Sequence, residues 1–125
     1  MLKKIDLKIV KNIKGDVVKI IDKNNKSFKG FGEIYFSKIK KPHIKGWNLH
    51  KRLYCQIILC YGEIELKLKF KGKLKVITLS KVRNKLLIIP PKTWFAIKSK
   101  SKESMILNIL SGVHDPKETE KKQIN

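Results

Sequence analysis

Ile64-Glu65-Leu66-Lys67-Leu68-Lys69-Phe70 alternates apolar and polar side chains without a break. Successive side chains of a strand point to opposite faces, so this run gives one face to a core and the other to water. Similar short runs occupy residues 16–22, 32–39, 54–61, 74–79, 85–89, 94–99 and 105–110. Polar or glycine-containing breaks separate them at residues 23–26, Gly30, Lys71-Gly72-Lys73, and residues 81–84 and 99–104. Breaks of that composition are turn punctuation. Phe70-Lys71-Gly72-Lys73-Leu74 reads as a hairpin tip. No sustained helical period occurs. Many short strands at regular spacing predict an all-β sandwich or barrel, and a jelly roll manages its edges by doubling the sheet. Pro116 to Asn125 is polar and charged, which reads as a short terminal helix or a disordered tail. The organisation expected is one domain over residues 1–115 and a polar C-terminal tail over residues 116–125.

The 125 residues suffice for one domain with a core and are too few for two. No stretch approaches the roughly 20 apolar residues of a membrane span. The start, Met1-Leu2-Lys3-Lys4-Ile5-Asp6, lacks the apolar h-region of a secretion signal. Cytoplasmic residence with no membrane partner is therefore expected. Cys55 and Cys60 lie five apart in one expected strand, an odd separation that points them to opposite faces. They read as buried thiols, not as a disulfide.

The formal net charge of +20 raises the question of nucleic acid, because basic proteins gain affinity by neutralising phosphates. Only Arg52 and Arg83 are arginine, however, and the lysines are spread along the whole chain. Arginine is the residue suited to planar phosphate and base recognition. Solvated surface accounts better for such a charge, although its field would still draw in a small anionic substrate.

The chemistry-bearing residues gather around Lys45-Gly46-Trp47-Asn48-Leu49-His50, between two strand-like runs. Asn48 and His50 are two apart, so both face the same side of a strand. Taken with Phe31-Gly32-Glu33-Ile34-Tyr35-Phe36-Ser37, Gly62-Glu63, Pro90-Pro91-Lys92-Thr93-Trp94 and His114-Asp115-Pro116, this motif resembles a family of small cupins. These are the relatives of dTDP-4-dehydrorhamnose 3,5-epimerases and sugar 3,4-ketoisomerases, the WxcM-like C-terminal family. The resemblance covers roughly Gly15 to Glu118 and implies a cupin jelly roll, a double-stranded β-helix whose inward residues converge on a pocket.

The resemblance also sets limits. Metal-binding cupins use a His-x-His pair, a glutamate and a later histidine; here the matching positions hold Asn48, Cys55 and Phe95, and His50 alone survives. One imidazole does not hold a transition metal, so neither a metal nor another cofactor is expected. In the 3,5-epimerases a histidine after an Arg-Gly pair removes the proton beside the ketone and a tyrosine reprotonates the other face. By position these become Asn48, following Lys45-Gly46, and about Asn108. Asparagine has no useful pKa and cannot be a general base. The 3,4-ketoisomerases carry a second histidine that matches His50, and an imidazole suits proton transfer near neutrality. His50 is thus the candidate catalytic residue, with a substrate-binding or structural role as the other reading.

Further candidates for a sugar-nucleotide site are Lys45 and Arg52 for the diphosphate, and Trp47 and Trp94 for stacking. Tyr35 and Gln56 are polar groups in apolar strands, which need partners if buried. Asn48 and Asn108 complete the set, and Asp115 reads either as a group that orients a histidine or as an ordinary Asp-Pro turn opener. Nucleophilic catalysis and glycine-rich phosphate loops find no motif here. The resemblance implies a homodimeric isomerase or epimerase acting on a nucleotide-linked, dTDP-type 4-keto-6-deoxyhexose, by proton transfer next to the ketone, in surface polysaccharide or lipopolysaccharide assembly. A non-catalytic sugar-nucleotide-binding module is the alternative, and a basic nucleic-acid-binding β protein a third.

Overall fold

The described residues form twelve strands, and the alternation read from the sequence decides which of their faces meet. The structure, a computed structural model, describes residues 2–81 and 85–122. The strands are β1 (Lys3–Asp6), β2 (Lys8–Val10), β3 (Val17–Lys19), β4 (Glu33–Lys40), β5 (Ile44–His50), β6 (Cys55–Tyr61), β7 (Glu63–Phe70), β8 (Lys73–Ser80), β9 (Lys85–Ile89), β10 (Trp94–Ser99), β11 (Glu103–Leu110) and β12 (Thr119–Lys121). Two five-stranded antiparallel sheets, β1-β9-β6-β11-β4 and β12-β5-β10-β7-β8, pack face to face, and β2 and β3 form a separate two-stranded ribbon. The expected all-β cupin jelly roll is what the chain adopts.

The core lies between the sheets. Ile64, Leu66 and Leu68 of β7 point into it, as do Ile57, Leu59, Leu87, Ile89, Phe95 and Ile97 from neighbouring strands. β6 and β9 read as continuous apolar runs because both of their faces are covered. Ile58, Leu86 and Ile88 turn outward and are roofed by Ile5, Leu7, Ile20, Ile21 and Tyr54. A strand buried on two sides loses its alternation. The hairpin tip is a two-residue turn in which Lys71 (φ +51°) and Gly72 (φ +78°) are both left-handed, the geometry that matches strand twist. The expected break at residues 81–84 lies largely outside the described residues, as do positions 123–125.

Two features concern the site. Residues 116–118, expected in a polar tail, form one turn of 3-10 helix, and Thr119–Lys121 then adds a strand to the edge of the second sheet. In addition, β5 is bulged where it pairs with β10: Phe95 faces Asn48, but Ala96 faces Gly46, so Trp47 is the extra residue. A bulge reverses the parity of everything before it. Lys45, which plain alternation would set opposite Asn48 and His50, therefore shares their side. Gly46 permits this, with φ +128° and no room for a side chain: an added Cβ would lie 2.6 Å from the Phe95 carbonyl oxygen and 2.7 Å from the Ala96 Cα. Gly46→Ala is expected to cost on the order of 2 kcal/mol, read as a lower urea midpoint with an unchanged m-value. A midpoint at the wild-type value would mean the bulge is not built on this glycine.

Among the described residues no helix is long and apolar enough to cross a membrane.

Candidate active site between the two sheets

At one end of the sandwich the sheets part around a cavity of about 190 Å³. β4 contributes Tyr35 and Ser37, β5 contributes Lys45, Asn48 and His50, and β11 contributes Ile106 and Asn108. Phe95 and Ile97 of β10 form its apolar side, and His114, Thr119 and Lys121 of the C-terminal segment finish the wall.

His50 is the most constrained group in it. Its ring stacks on Phe95 at 6.3 Å between centroids, and its Nδ1 lies 2.7 Å from Glu118 Oε1. Glu118 is only 2% exposed. Its Oε2 accepts the backbone N–H groups of Arg52 (2.8 Å) and Leu53 (3.0 Å), and Oε1 also accepts from the Thr119 hydroxyl (3.3 Å). Burial by itself raises a carboxyl pKa. Here the bonds from Arg52 N–H, His50 and Leu53 N–H outweigh it and hold Glu118 down to about 2. An ionised carboxylate is an acceptor only, so the shared proton sits on His50 Nδ1. In the neutral imidazole that tautomer leaves the Nε2 lone pair free on a residue of the cavity wall, the arrangement of an oriented general base.

The register explains how Glu118 arrives there. Thr119 pairs with His50 and Lys121 with Asn48 across β12 and β5, so the residue just before β12 falls beside the end of β5. Of the two readings of Asp115, the structure bears out the turn opener: it caps the 3-10 turn, accepting from Lys117 N–H at 2.9 Å, and makes no hydrogen bond to a histidine among the described residues. The Asp-Pro start of that turn was a readable helix-start signal. Nothing local marked Glu118 as the histidine's partner, because the two are 68 residues apart.

Among the candidates, the structure brings Tyr35, Lys45, Asn48, His50 and Asn108 to one cavity. Tyr35 and Asn108 face each other in register, and Asn108 Nδ2 donates to the Tyr35 hydroxyl at 3.0 Å. Burial pushes the Tyr35 pKa up, nearby Cys55 adds to this, and the Asn108 bond opposes it. Lys45 Nζ donates to Ser37 Oγ at 2.8 Å.

Four candidates are not on the wall. The Arg52 side chain is exposed and only its backbone touches Glu118. Gln56 is fully buried, where its amide donates to the Gly30 and Ile109 carbonyls and its Oε1 accepts from Lys29 N–H. It pins the loop before β4 to the sheet. Trp47 and Trp94 instead flank Lys122, whose Nζ lies 5.9 and 4.5 Å from their ring centroids. Together with the Lys122 N–H bond to the Trp47 carbonyl (3.1 Å), these contacts fasten the chain just beyond β12.

Both cysteines are free. Burial, against a bond from Asn108, pushes the Cys55 thiol up to about 12, so no thiolate nucleophile is available there. Among the described residues no three His, Cys, Asp or Glu side chains gather as a metal-binding group.

Residues 2–123 match the family model described as FdtA: WxcM-like, C-terminal. No curated protein matches the sequence. Among solved structures, the chain is similar to a dTDP sugar isomerase from Desulfovibrio desulfuricans, with 24% identity, a TM-score of 0.89, and coverage of 98% of this chain and 83% of that one. QdtA, a sugar 3,4-ketoisomerase from Thermoanaerobacterium thermosaccharolyticum solved with TDP, gives 22%, 0.83, 94% and 85% in the same order. ChmJ, a 3'-monoepimerase from Streptomyces bikiniensis solved with dTDP-quinovose, gives 9%, 0.85, 96% and 68%. At these identities the likeness establishes the fold.

Proposed function

The chain belongs to the WxcM-like C-terminal family, and from that premise we propose that it isomerises a nucleotide-linked 4-keto-6-deoxyhexose by moving a proton next to the ketone. The observation that carries the reading is the His50–Glu118 pair, an imidazole held at Nδ1 by a buried carboxylate on the wall of an otherwise uncharged-to-cationic cavity. A general base near neutral pH is what abstraction of a proton α to a carbonyl requires. The similar solved structures include a ketoisomerase with bound TDP and a variant of it with TDP-4-keto-6-deoxyglucose.

The cavity of about 190 Å³ is smaller than the roughly 300–1,000 Å³ of pockets that enclose a drug-sized ligand. It suits the sugar ring, with the nucleotide lying along the mouth. Lys45 and Lys121 supply positive charge for an enolate oxygen or a diphosphate. Asn48 offers hydrogen bonds to sugar hydroxyls in place of a second base. Because the tyrosine position of the epimerases holds Asn108, whose amide does not titrate and donates to Tyr35, a 3,4-ketoisomerase is favoured over a 3,5-epimerase.

The wider setting follows the same reading: a cytoplasmic enzyme of surface polysaccharide or lipopolysaccharide assembly, working as a homodimer. Ile34 and Phe36 remain exposed on edge strand β4, apolar surface that a second copy would cover.

The test is incubation with dTDP-4-keto-6-deoxyglucose in deuterated water, followed by proton NMR. Loss of the C3 proton signal with appearance of a 3-keto sugar is the expected result. Exchange at C5 as well would indicate an epimerase. Saturable binding with no exchange would indicate a sugar-nucleotide-binding module, the reading that Asn48 in the base position favours.

A further inference from the structure

A 3,4-ketoisomerisation moves two protons, not one. The carbon proton travels from C3 to C4, and a hydroxyl proton leaves O3 while another arrives at O4. His50 can carry the first on one face of the sugar. The resemblance supplies nothing for the second, because Asn48 has replaced the neighbouring histidine.

The cavity holds a second imidazole that no motif assigns to the chemistry. His114, which follows β11, lines the same wall, and its ring meets that of His50 edge-on at 6.4 Å between centroids. Its backbone N–H donates to Glu33 Oε1 at 2.9 Å, which ties the loop to the start of β4. Two imidazoles thus border the one cavity in which the proposed function puts the sugar ring.

The other polar groups of the wall are less suited. The Tyr35 hydroxyl is engaged by Asn108, and burial makes it a weaker acid than an ordinary phenol. Lys45 is bonded to Ser37. Asn48 and Asn108 do not titrate. An imidazole both gives and takes protons near neutrality.

We propose that His114 is the second catalytic residue of this site, shuttling the hydroxyl proton between O3 and O4 while His50 carries the carbon proton. The proposal rests on the ketoisomerase reading. His50 Nε2 takes the C3 proton, and the C–H electron pair becomes the C3–C4 double bond. The π electrons of the C4 carbonyl move to O4, which takes a proton from the His114 imidazolium and completes an enediol. His114, now neutral, then accepts the O3 proton as the C3 carbonyl forms. C4 takes its proton back from His50. Both imidazoles end as they began, and no oxidant, reductant or metal is required.

The experiment compares wild type and His114→Gln on dTDP-4-keto-6-deoxyglucose, with and without added imidazole. His114 is exposed, so the variant should keep the wild-type melting temperature. The expected result is a fall in kcat of about 10²-fold, the lower range for general acid–base catalysis, with KM within about 3-fold of wild type and part of the rate restored by imidazole. An unchanged kcat overturns the assignment. So does a rise in KM with kcat intact, which would make His114 a binding residue, or a kcat loss that imidazole does not restore. A wild type that neither turns over this substrate nor exchanges its C3 proton overturns the ketoisomerase reading, and the role of His114 with it.

Discussion

His50→Gln should abolish washout of the sugar C3 proton in deuterated water, lowering kcat by about 10³-fold or more, within the range for losing a general base. Glutamine is chosen because its amide can still donate to Glu118 Oε1, the acceptor that His50 Nδ1 meets at 2.7 Å. The carboxylate then keeps a partner, and its bonds to Arg52 and Leu53 N–H are untouched. Stability should stay within about 1 kcal/mol of wild type, since one neutral donor to the Glu118 carboxylate replaces another. Affinity for dTDP should change little, because the nucleotide is proposed to lie along the mouth of the cavity that His50 lines. Exchange measured by NMR and binding by calorimetry separate the two effects. A variant that still exchanges the C3 proton at the wild-type rate would remove His50 from the chemistry.

Glu118→Ala is the change expected to cost most in stability, on the order of 3 kcal/mol. It leaves the backbone N–H groups of Arg52 and Leu53 and the Nδ1 of His50 without their acceptor, at a place where Glu118 is 2% exposed. The effect also depends on pH with a definite sign. The folded-state pKa of about 2 lies below the ordinary 4.5, so the unfolded chain binds the proton more readily. The stabilisation is therefore complete above the ordinary value and drains away as pH falls through about 2. Urea denaturation of wild type and variant from pH 6 down to pH 2 should give curves that converge at the acid end. Parallel curves would mean that Glu118 is not ionised in the native state. Activity should fall as well, because without the carboxylate neither the ring orientation nor the Nδ1–H tautomer of His50 is fixed.

Much of the fold could be read from the chain because its signal is local. The alternation in residues 64–70 became β7 with Ile64, Leu66 and Leu68 inside. The Lys71-Gly72 tip became the two-residue hairpin turn. Asn48 and His50 do share a face of β5, as their spacing requires. The strands that were hardest to see are β1, β2 and β12, short segments whose residues are mostly exposed. With little buried on either face, such a strand carries almost no period-2 pattern, and the ladder of its neighbour determines it.

The site was legible only in part. Tyr35, Lys45, Asn48, His50 and Asn108 converge, while Trp47 and Trp94 hold Lys122 and Gln56 braces a loop. A polar or aromatic residue in a strand announces that it needs a partner, but not whether that partner is a ligand or a carbonyl of the same chain.

The sequence by itself determined the class of fold, the faces of its strands and the one histidine that remains in the central motif. Each is set by residues within a few positions of one another, through steric alternation and turn geometry. Tertiary structure alone decided what surrounds that histidine. Glu118 reaches His50 because β12 pairs with β5 across 68 positions of chain, and His114 lies beside it because the segment after β11 forms part of the same cavity wall. Those contacts are made by hydrogen-bond ladders between distant strands, whose register no local pattern encodes.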